Sequence, residues 1–241
     1  MDYERKDTFE YDMEKIKKDK NFKANQRSIS IFLYYMGQHN LKNEYILNQI
    51  DLRLSQFKNS FNQRQAQCMY QAALKCSLPK HFVYYTQEEY LRHIKNNSDS
   101  KQPFYLRDCL DILEGLVQNT ILSVEEKRET TVNMVEPIFK LVEGNKKGKK
   151  FFKYFNQLFK IKQLLYELDQ HDLEIFKKIQ DLNFENKRYC KNLDRMDREL
   201  KLFDTLIALY PDDVYFKDSK KKVQGLIKEN QNFTWLYNLE E

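Results

Sequence analysis

A tripeptide that occurs twice is the feature that most restricts the fold of this chain. Asn-Gln-Arg begins at Asn25 and again at Asn62, 37 residues further on. A repeat of this length is typical of a helical hairpin that is copied along a chain. Such hairpins grow by stacking and serve mostly as binding surfaces. Apolar residues recur at the same offset of 37 residues. The aligned positions are Leu41 and Leu78, Leu54 and Leu91, Ile31 and Cys68, Phe32 and Met69, Tyr45 and Phe82, Ile46 and Val83, and Phe57 and Ile94.

The composition favours helices over sheets. Five glycines and four prolines in 241 residues are too few for the many tight turns of a β-rich or α/β fold. Hydrophobic residues make up 41% and aromatic residues 14%, which excludes a disordered chain. We therefore predict an all-α fold in which helical hairpins stack as a short α-solenoid, followed by a C-terminal part that resembles a helical bundle.

Shifts in composition divide the chain into three regions. Residues 1–23 are dense in charge and are predicted to form an N-terminal arm. Residues 24–143 form the predicted helical-repeat domain, in which a Ser123/Glu126 capping box opens a helix of a third hairpin that leaves the 37-residue register. A basic, glycine-bearing linker at 144–150 separates this domain from a C-terminal helical region with a tail, 151–241.

Two features of the C-terminal region suggest packing surfaces. Apolar residues between Leu193 and Ile207 alternate steps of three and four, the spacing of a helix that packs along another helix. Because the whole heptad-like stretch, Tyr189 to Tyr210, covers only about three heptads, it fits packing within the domain and a coiled coil of a cytoskeletal or ciliary scaffold equally well. In the tail, Phe233, Trp235 and Tyr237 are candidates for docking a partner or for covering the open end of a stack.

The sequence predicts no enzyme, no metal site and no cofactor. It contains no glycine-rich phosphate loop and no nucleophile motif. Cys68, Cys76 and His81 lie in one hairpin, but their separations of eight and five residues match no zinc pattern, and packing roles are expected. No uncharged stretch approaches the roughly 20 residues of a membrane-spanning helix, and the N-terminus does not read as a signal peptide. We therefore expect no membrane span, no secretion and no small-molecule substrate.

A basic and aromatic segment, Lys146 to Lys162, is the clearest candidate for binding RNA. Single-stranded nucleic acid is held by cations on phosphates and by aromatic rings on bases. The four-residue steps between Phe151, Phe155 and Phe159 favour the alternative, in which the aromatic residues face a core beneath solvated lysines. Arg27 and Arg64 occupy equivalent repeat positions and are expected on one edge of the stack. The lysines among the candidates for binding RNA or a partner are Lys146, Lys147, Lys149, Lys150, Lys153 and Lys160.

The hairpin pair resembles a known class of helical repeat. A helix, a short turn at Leu41 or Leu78, an aromatic residue at Tyr45 or Phe82 and a second helix of similar length resemble the heptatricopeptide or octotricopeptide type found in proteins similar to the FAST-kinase group. The resemblance covers about residues 25–95. It implies a mitochondrial or chloroplast protein that handles RNA or serves as an added subunit of an organellar ribosome. If the resemblance does not hold, a cytoplasmic location is expected.

These observations predict a non-catalytic scaffold subunit of a larger multiprotein or ribonucleoprotein complex, such as an organellar ribosome or a respiratory assembly. Its partners would be the other protein subunits, and RNA is a further candidate. The first alternative is an RNA-binding helical-repeat protein that acts on organellar RNA. The net charge of +5 permits this alternative without requiring it. The second alternative is the cytoskeletal or ciliary scaffold.

Overall fold

Helices joined by short connections account for the regular structure of the chain. The computed structural model describes residues 25–39, 42–96, 103–144, 155–185 and 193–237, with the side chains of 38, 144, 155 and 231–237 left out of the description. No strand occurs within these ranges. The predicted all-α class is therefore confirmed, whereas the predicted arm, 1–23, lies outside the described residues.

The helices follow one another along the chain with few interruptions. A short 3₁₀ turn, Ser55–Phe57, extends the second helix, and a π-helical turn, Thr131–Val135, joins the sixth helix to the seventh. In chain order the helices are α1 (Gln26–His39), α2 (Glu44–Leu54), α3 (Gln63–Lys75), α4 (Lys80–Lys95), α5 (Leu106–Gln118), α6 (Val124–Thr130), α7 (Glu136–Gly144), α8 (Phe155–Glu167), α9 (Glu174–Phe184), α10 (Leu193–Leu209) and α11 (Val214–Tyr237).

The repeated tripeptide marks the start of two helices. The Oδ1 of Asn25 accepts the Ser28 N–H at 2.9 Å, and the Oγ of Ser28 accepts the Asn25 N–H at 2.8 Å. At the second copy the Oδ1 of Asn62 accepts the Gln65 N–H at 2.9 Å, and the Oε1 of Gln65 accepts the Asn62 N–H at 3.0 Å. Each pair satisfies two backbone donors that a helix start would otherwise leave free. The tripeptide is therefore a helix-capping signal.

Two later helices begin in a related way. The predicted capping box of α6 is confirmed, because the Ser123 Oγ accepts the Glu126 N–H at 3.2 Å and the Glu126 Oε2 accepts the Ser123 N–H at 2.6 Å. At α5 the Oδ2 of Asp108 accepts the Tyr105 N–H at 2.7 Å. The cap of α5 lies 43 residues after that of α3, so the third hairpin leaves the 37-residue register.

The contacts divide the chain into two units, Met1–Ile175 and Phe176–Glu241. Helix α8 packs on α5 and thus belongs with the first unit. The change in composition predicts a division earlier in the chain, at residues 144–150. Packing between α5 and α8 carries the first unit beyond that linker.

In the first unit, α1 packs on α3, α3 on α5 and α5 on α8. Near the start of α1, the Gln26 side chain donates to the Ser60 carbonyl, just before α3. Near its end, the Cys76 thiol, just after α3, donates to the Met36 carbonyl at 3.1 Å. Because start meets start and end meets end, α1 and α3 run parallel.

Helices α3 and α5 are parallel for the same reason. Gln71 in the middle of α3 donates to Asp111 in the first half of α5 at 3.0 Å. Asn119, which follows α5, donates from its side chain to the carbonyl of Leu74, near the end of α3, at 2.9 Å. The helices α1, α3, α5 and α8 therefore form a row, in which the N-termini of the first three lie at one edge.

Helix α4 also contacts α2 and α6. The Tyr85 hydroxyl of α4 donates to the Leu54 carbonyl at the end of α2, at 2.7 Å. The Lys80 ammonium at the start of α4 pairs with Glu126 at the start of α6, at 2.7 Å. These contacts are compatible with stacked hairpins.

Small residues set the spacing on both sides of α3. A Cβ atom added at Gly37 of α1 would lie 2.5 Å from the Ala72 Cα and 2.7 Å from its Cβ. A Cβ added at Gly115 of α5 would lie 2.8 Å from the Leu74 Cβ. Both neighbours of α3 therefore approach it more closely than any other residue type would allow.

The second unit is built around the contact between α10 and α11. Met196, Phe203 and Phe216 are fully buried, and the Tyr215 hydroxyl of α11 donates to the Lys177 carbonyl of α9 at 2.8 Å. Met196 and Phe203 belong to the heptad-like stretch seen in the sequence. Packing within the unit thus accounts for their apolar spacing.

Candidate partner-binding surface

An arginine occupies the second position of three parallel helices. Arg27, Arg64 and Arg107 each follow the first residue of α1, α3 and α5, and all three side chains are exposed. Because these helices start at the same edge of the row, the three guanidinium groups share that edge. The repeated tripeptide indicates Arg27 and Arg64 but not Arg107, whose helix starts with a different cap.

The three arginines differ in their ionic surroundings. The Arg107 Nε lies 2.8 Å from the Asp111 Oδ1, so its charge is partly balanced. Neither Arg27 nor Arg64 forms an ion pair with the residues that the structure describes. Arg64 is nevertheless close enough to Asp108 to stabilise that carboxylate. The positive character of the edge is therefore strongest at α1 and α3.

The candidate lysines of the basic segment are not brought together in the described structure. Lys146, Lys147, Lys149, Lys150 and Lys153 lie outside the described residues. Lys160 lies on α8, where its ammonium pairs with the Glu114 carboxylate of α5. The candidate docking residues Phe233, Trp235 and Tyr237 fall within α11, at positions whose side chains are not described.

A shallow apolar groove of about 220 Å³ runs between α1 and α3. Two of its large side chains are partly open to solvent, with Ile31 40% and Tyr34 38% exposed. Burial raises the pKa of the Cys68 thiol, which keeps this side chain uncharged. The groove is lined by Ser30, Ile31, Tyr34, Tyr35, Arg64, Gln65 and Cys68.

The neighbouring interface, between α3 and α5, is bridged by polar side chains. The Gln67 amide donates to the Asp108 Oδ1, and the Gln71 amide donates to the Asp111 Oδ2 at 3.0 Å. Burial is the largest influence on both carboxyl groups and raises their pKa, against the hydrogen bonds and cations that favour the ionised form. These bridges close the surface between α3 and α5.

A second groove, between α5 and α8, has a different character. Glu114 and Lys160 form an ion pair across it, and Glu167 lies further along. Its volume is about 450 Å³ and its lining is mostly polar, through Gln118 and Gln163. The exposed face of the row thus changes from apolar and cationic at α1 and α3 to polar and partly acidic at α5 and α8.

The residues considered as metal ligands have other contacts. The Cys76 thiol donates to the Met36 carbonyl, and the His81 Nε2 lies 3.1 Å from the Asp51 Oδ1 at the surface. Within the described ranges, no group of three or more histidine, cysteine, aspartate or glutamate side chains is placed to hold a metal ion. Nor does any described helix have the length and apolar character needed to cross a bilayer.

Comparison with known proteins does not assign this chain to a family. No family model matches this chain, and a search of curated proteins finds no match. The chain is therefore defined by its all-helical fold and by the surface of the row α1, α3, α5 and α8. Its resemblance to organellar helical repeats stays a prediction.

Proposed function

We propose that this chain is a non-catalytic scaffold subunit of a larger multiprotein or ribonucleoprotein assembly, and that its hairpins stack as a short α-solenoid. The observation that supports this most is the row of helices α1, α3, α5 and α8, which presents one face of changing character. Repeat proteins commonly use such an extended face to bind partners. The resemblance to organellar repeats suggests an organellar assembly.

The exposed apolar residues of the first hairpin support protein binding. Ile31 and Tyr34 sit side by side on α1, one helical turn apart, and each leaves more than a third of its surface open. Large apolar side chains that are clustered and exposed often mark an interaction site. Partner proteins would cover them.

The scaffold proposal is tested by the native partners of the full chain. A tagged chain is purified from its own cells with and without ribonuclease, and the material is sedimented through a gradient and identified by mass spectrometry. We expect a stable set of proteins that survives ribonuclease and sediments far ahead of the 29.4 kDa free chain. Sedimentation as a free monomer would contradict the proposal.

A second candidate function is binding of single-stranded RNA along the arginine edge. The specific observation in its favour is the shared helix position of Arg27, Arg64 and Arg107 at one edge of three parallel helices. Guanidinium groups bind phosphates well, and backbone N–H groups at helix starts add to the attraction. The acidic side chains along α5 and α8 oppose an RNA path over the whole row.

The RNA candidate is tested by the salt dependence of binding. Each phosphate contact contributes a slope of about −0.7 to the log–log plot of affinity against salt for single strands. The triple variant Arg27→Gln, Arg64→Gln, Arg107→Gln should therefore make the slope shallower by about 2. Its charge-matched control replaces three exposed basic residues of the second unit, Arg198, Lys201 and Lys217, with glutamine. Equal slopes for both variants would contradict a role for the arginine edge.

A further inference from the structure

Equivalent positions form polar bridges between α3 and α5 but line an open groove between α1 and α3. Counted from the cap, Gln67 and Gln71 of α3 correspond to Ser30 and Tyr34 of α1, because the caps are Asn62 and Asn25. Asp108 and Asp111 of α5 correspond in the same way to Gln65 and Cys68 of α3. The four positions that bridge α3 to α5 thus correspond to four of the seven that line the groove between α1 and α3.

Between α1 and α3 these positions form no bridge. The Ser30 hydroxyl donates to the Arg27 carbonyl of its own helix at 3.0 Å. The Gln65 side chain is held in the cap of its own helix by Asn62. Tyr34 and Cys68 replace the remaining glutamine and aspartate. The polar atoms are therefore satisfied locally, and the groove stays open and apolar.

The charged side chain among the lining residues is cationic, while the Asp111 carboxylate, which pairs with Arg107, lies near enough to Cys68 to help raise the pKa of its thiol. Arg64 is among the lining residues, and Arg27 lies one helical turn before Ile31 on the same helix. Among the residues that the structure describes, no aspartate or glutamate lines the groove. An occupant would therefore need an apolar face to meet Ile31 and Tyr34, and carboxylates to meet the guanidinium groups.

We infer that the groove between α1 and α3 binds an amphipathic α-helix of a partner protein, with acidic residues beside its apolar face. This inference rests on the proposed scaffold function and specifies the chemistry of one partner. An amphipathic helix that lays its apolar face into a hydrophobic groove is a recurring mode of recognition. Helix α1 has 14 residues, about 21 Å, which matches a partner helix of three to four turns.

The test selects binders from a library of random 16-residue peptides displayed on phage, with the full chain as target. The counter-target is a closed-groove variant, Tyr34→Gln with Cys68→Asp, which copies the pair Gln71 and Asp111 into the groove. We expect the selected peptides to carry apolar residues at helical spacing, flanked by glutamate or aspartate. Synthetic versions should bind the wild type at least about tenfold more tightly than the closed-groove variant, a difference of about 1.4 kcal/mol.

A second variant distinguishes a loss of peptide binding from a loss of folding. Arg64→Glu changes an exposed side chain and leaves the groove floor intact. We expect it to weaken the acidic peptides about fivefold or more and to leave the helical circular dichroism unchanged. An exposed lysine of the second unit, Lys201→Glu, reverses the same charge away from the groove and should have little effect.

Several results would overturn the inference. Selected peptides that bind the wild type and both groove variants equally would do so, as would an enrichment of basic peptides or of none with helical apolar spacing. A labelled 12-nucleotide single-stranded RNA that binds the wild type and is lost with the closed-groove variant would assign the groove to nucleic acid instead.

The sedimentation experiment separates this inference from the proposed function. If no groove-dependent peptide is selected while the chain sediments in a large ribonuclease-resistant assembly, the inference fails and the scaffold proposal stands. If the chain sediments as a free monomer, the scaffold proposal itself fails.

Discussion

Replacing Gly37 by alanine should destabilise the first unit, although alanine is the better helix former. The new Cβ would lie 2.5 Å from the Ala72 Cα. Since carbon atoms in contact are normally 3.5–4.0 Å apart, α1 and α3 would have to separate by about 1 Å. Overpacking of this kind costs about 1–3 kcal/mol and more than offsets the roughly 1 kcal/mol that alanine gains over glycine in a helix.

The chain supplies a matched control at Gly225, which lies on an exposed face of α11. A Cβ added there meets no atom within 4 Å, so the same substitution adds only the gain in helix propensity. We expect Gly225→Ala to raise the local stability of α11 by about 0.5–1 kcal/mol. The opposite signs of the two substitutions isolate the steric effect.

Amide hydrogen exchange measured by mass spectrometry reports on each helix separately. Peptides from α1 and α3 should exchange up to about 30-fold faster in Gly37→Ala, which corresponds to a loss of about 2 kcal/mol. Peptides from α11 should exchange more slowly in Gly225→Ala. Because the nearest atom is the backbone Cα of Ala72, the additional change Ala72→Gly should restore only part of the protection. Protection of α1 and α3 at or above the wild-type level in Gly37→Ala would refute the close approach of the two helices.

Three further perturbations have expected outcomes. Asn62→Ala removes the cap of α3 and should cost about 1 kcal/mol in chemical denaturation, whereas Asn48→Ala, at an exposed position inside α2, should be neutral or stabilising. Hydrogen bonds from Lys80 and then Tyr84 lower the pKa of Glu126 from 4.5 to about 2. The contribution of this carboxylate to the stability of the fold is therefore complete above pH 4.5 and is lost as the pH falls towards 2. A Glu126→Gln variant should accordingly show a flatter dependence of Tm on pH between 4.5 and 2. Burial lowers the pKa of His171 from its ordinary 6.5. The unfolded chain therefore binds a proton here more readily than the folded chain, and the free energy of unfolding falls as the pH drops below 6.5. In denaturation curves at pH 7 and pH 5, His171→Gln should show a smaller loss of stability at the lower pH than the wild type.

The helical class and several helix starts follow from local signals in the sequence. Few glycines and apolar spacing predicted the all-α fold, and the capping box at Ser123 depends on residues three positions apart. The tripeptide at Asn25 and Asn62 predicted equivalent hairpins, and the asparagine of each copy forms the cap of its helix. Local chemistry of this kind can be read because all its partners lie within one turn of helix.

The character of the surface follows from partners far apart in the sequence. Whether an interface of α3 is open or bridged depends on pairs such as Gln71 and Asp111, 40 residues apart. No pattern within one helix predicts such a pair. Arg107 was missed for a related reason, because the cap of α5 uses Tyr105 and Asp108 and lies outside the 37-residue register. The sign that could have found it is the acidic residue at the third helix position.

The caps of α1, α3 and α6 satisfy the same backbone groups with different side chains. The residue that reaches back to the cap is Ser28 in α1, Gln65 in α3 and Glu126 in α6. Side chains of different length and charge therefore serve equally as the acceptor at this position. Copies of a hairpin can drift apart in sequence over evolutionary time while each helix still starts at the same place.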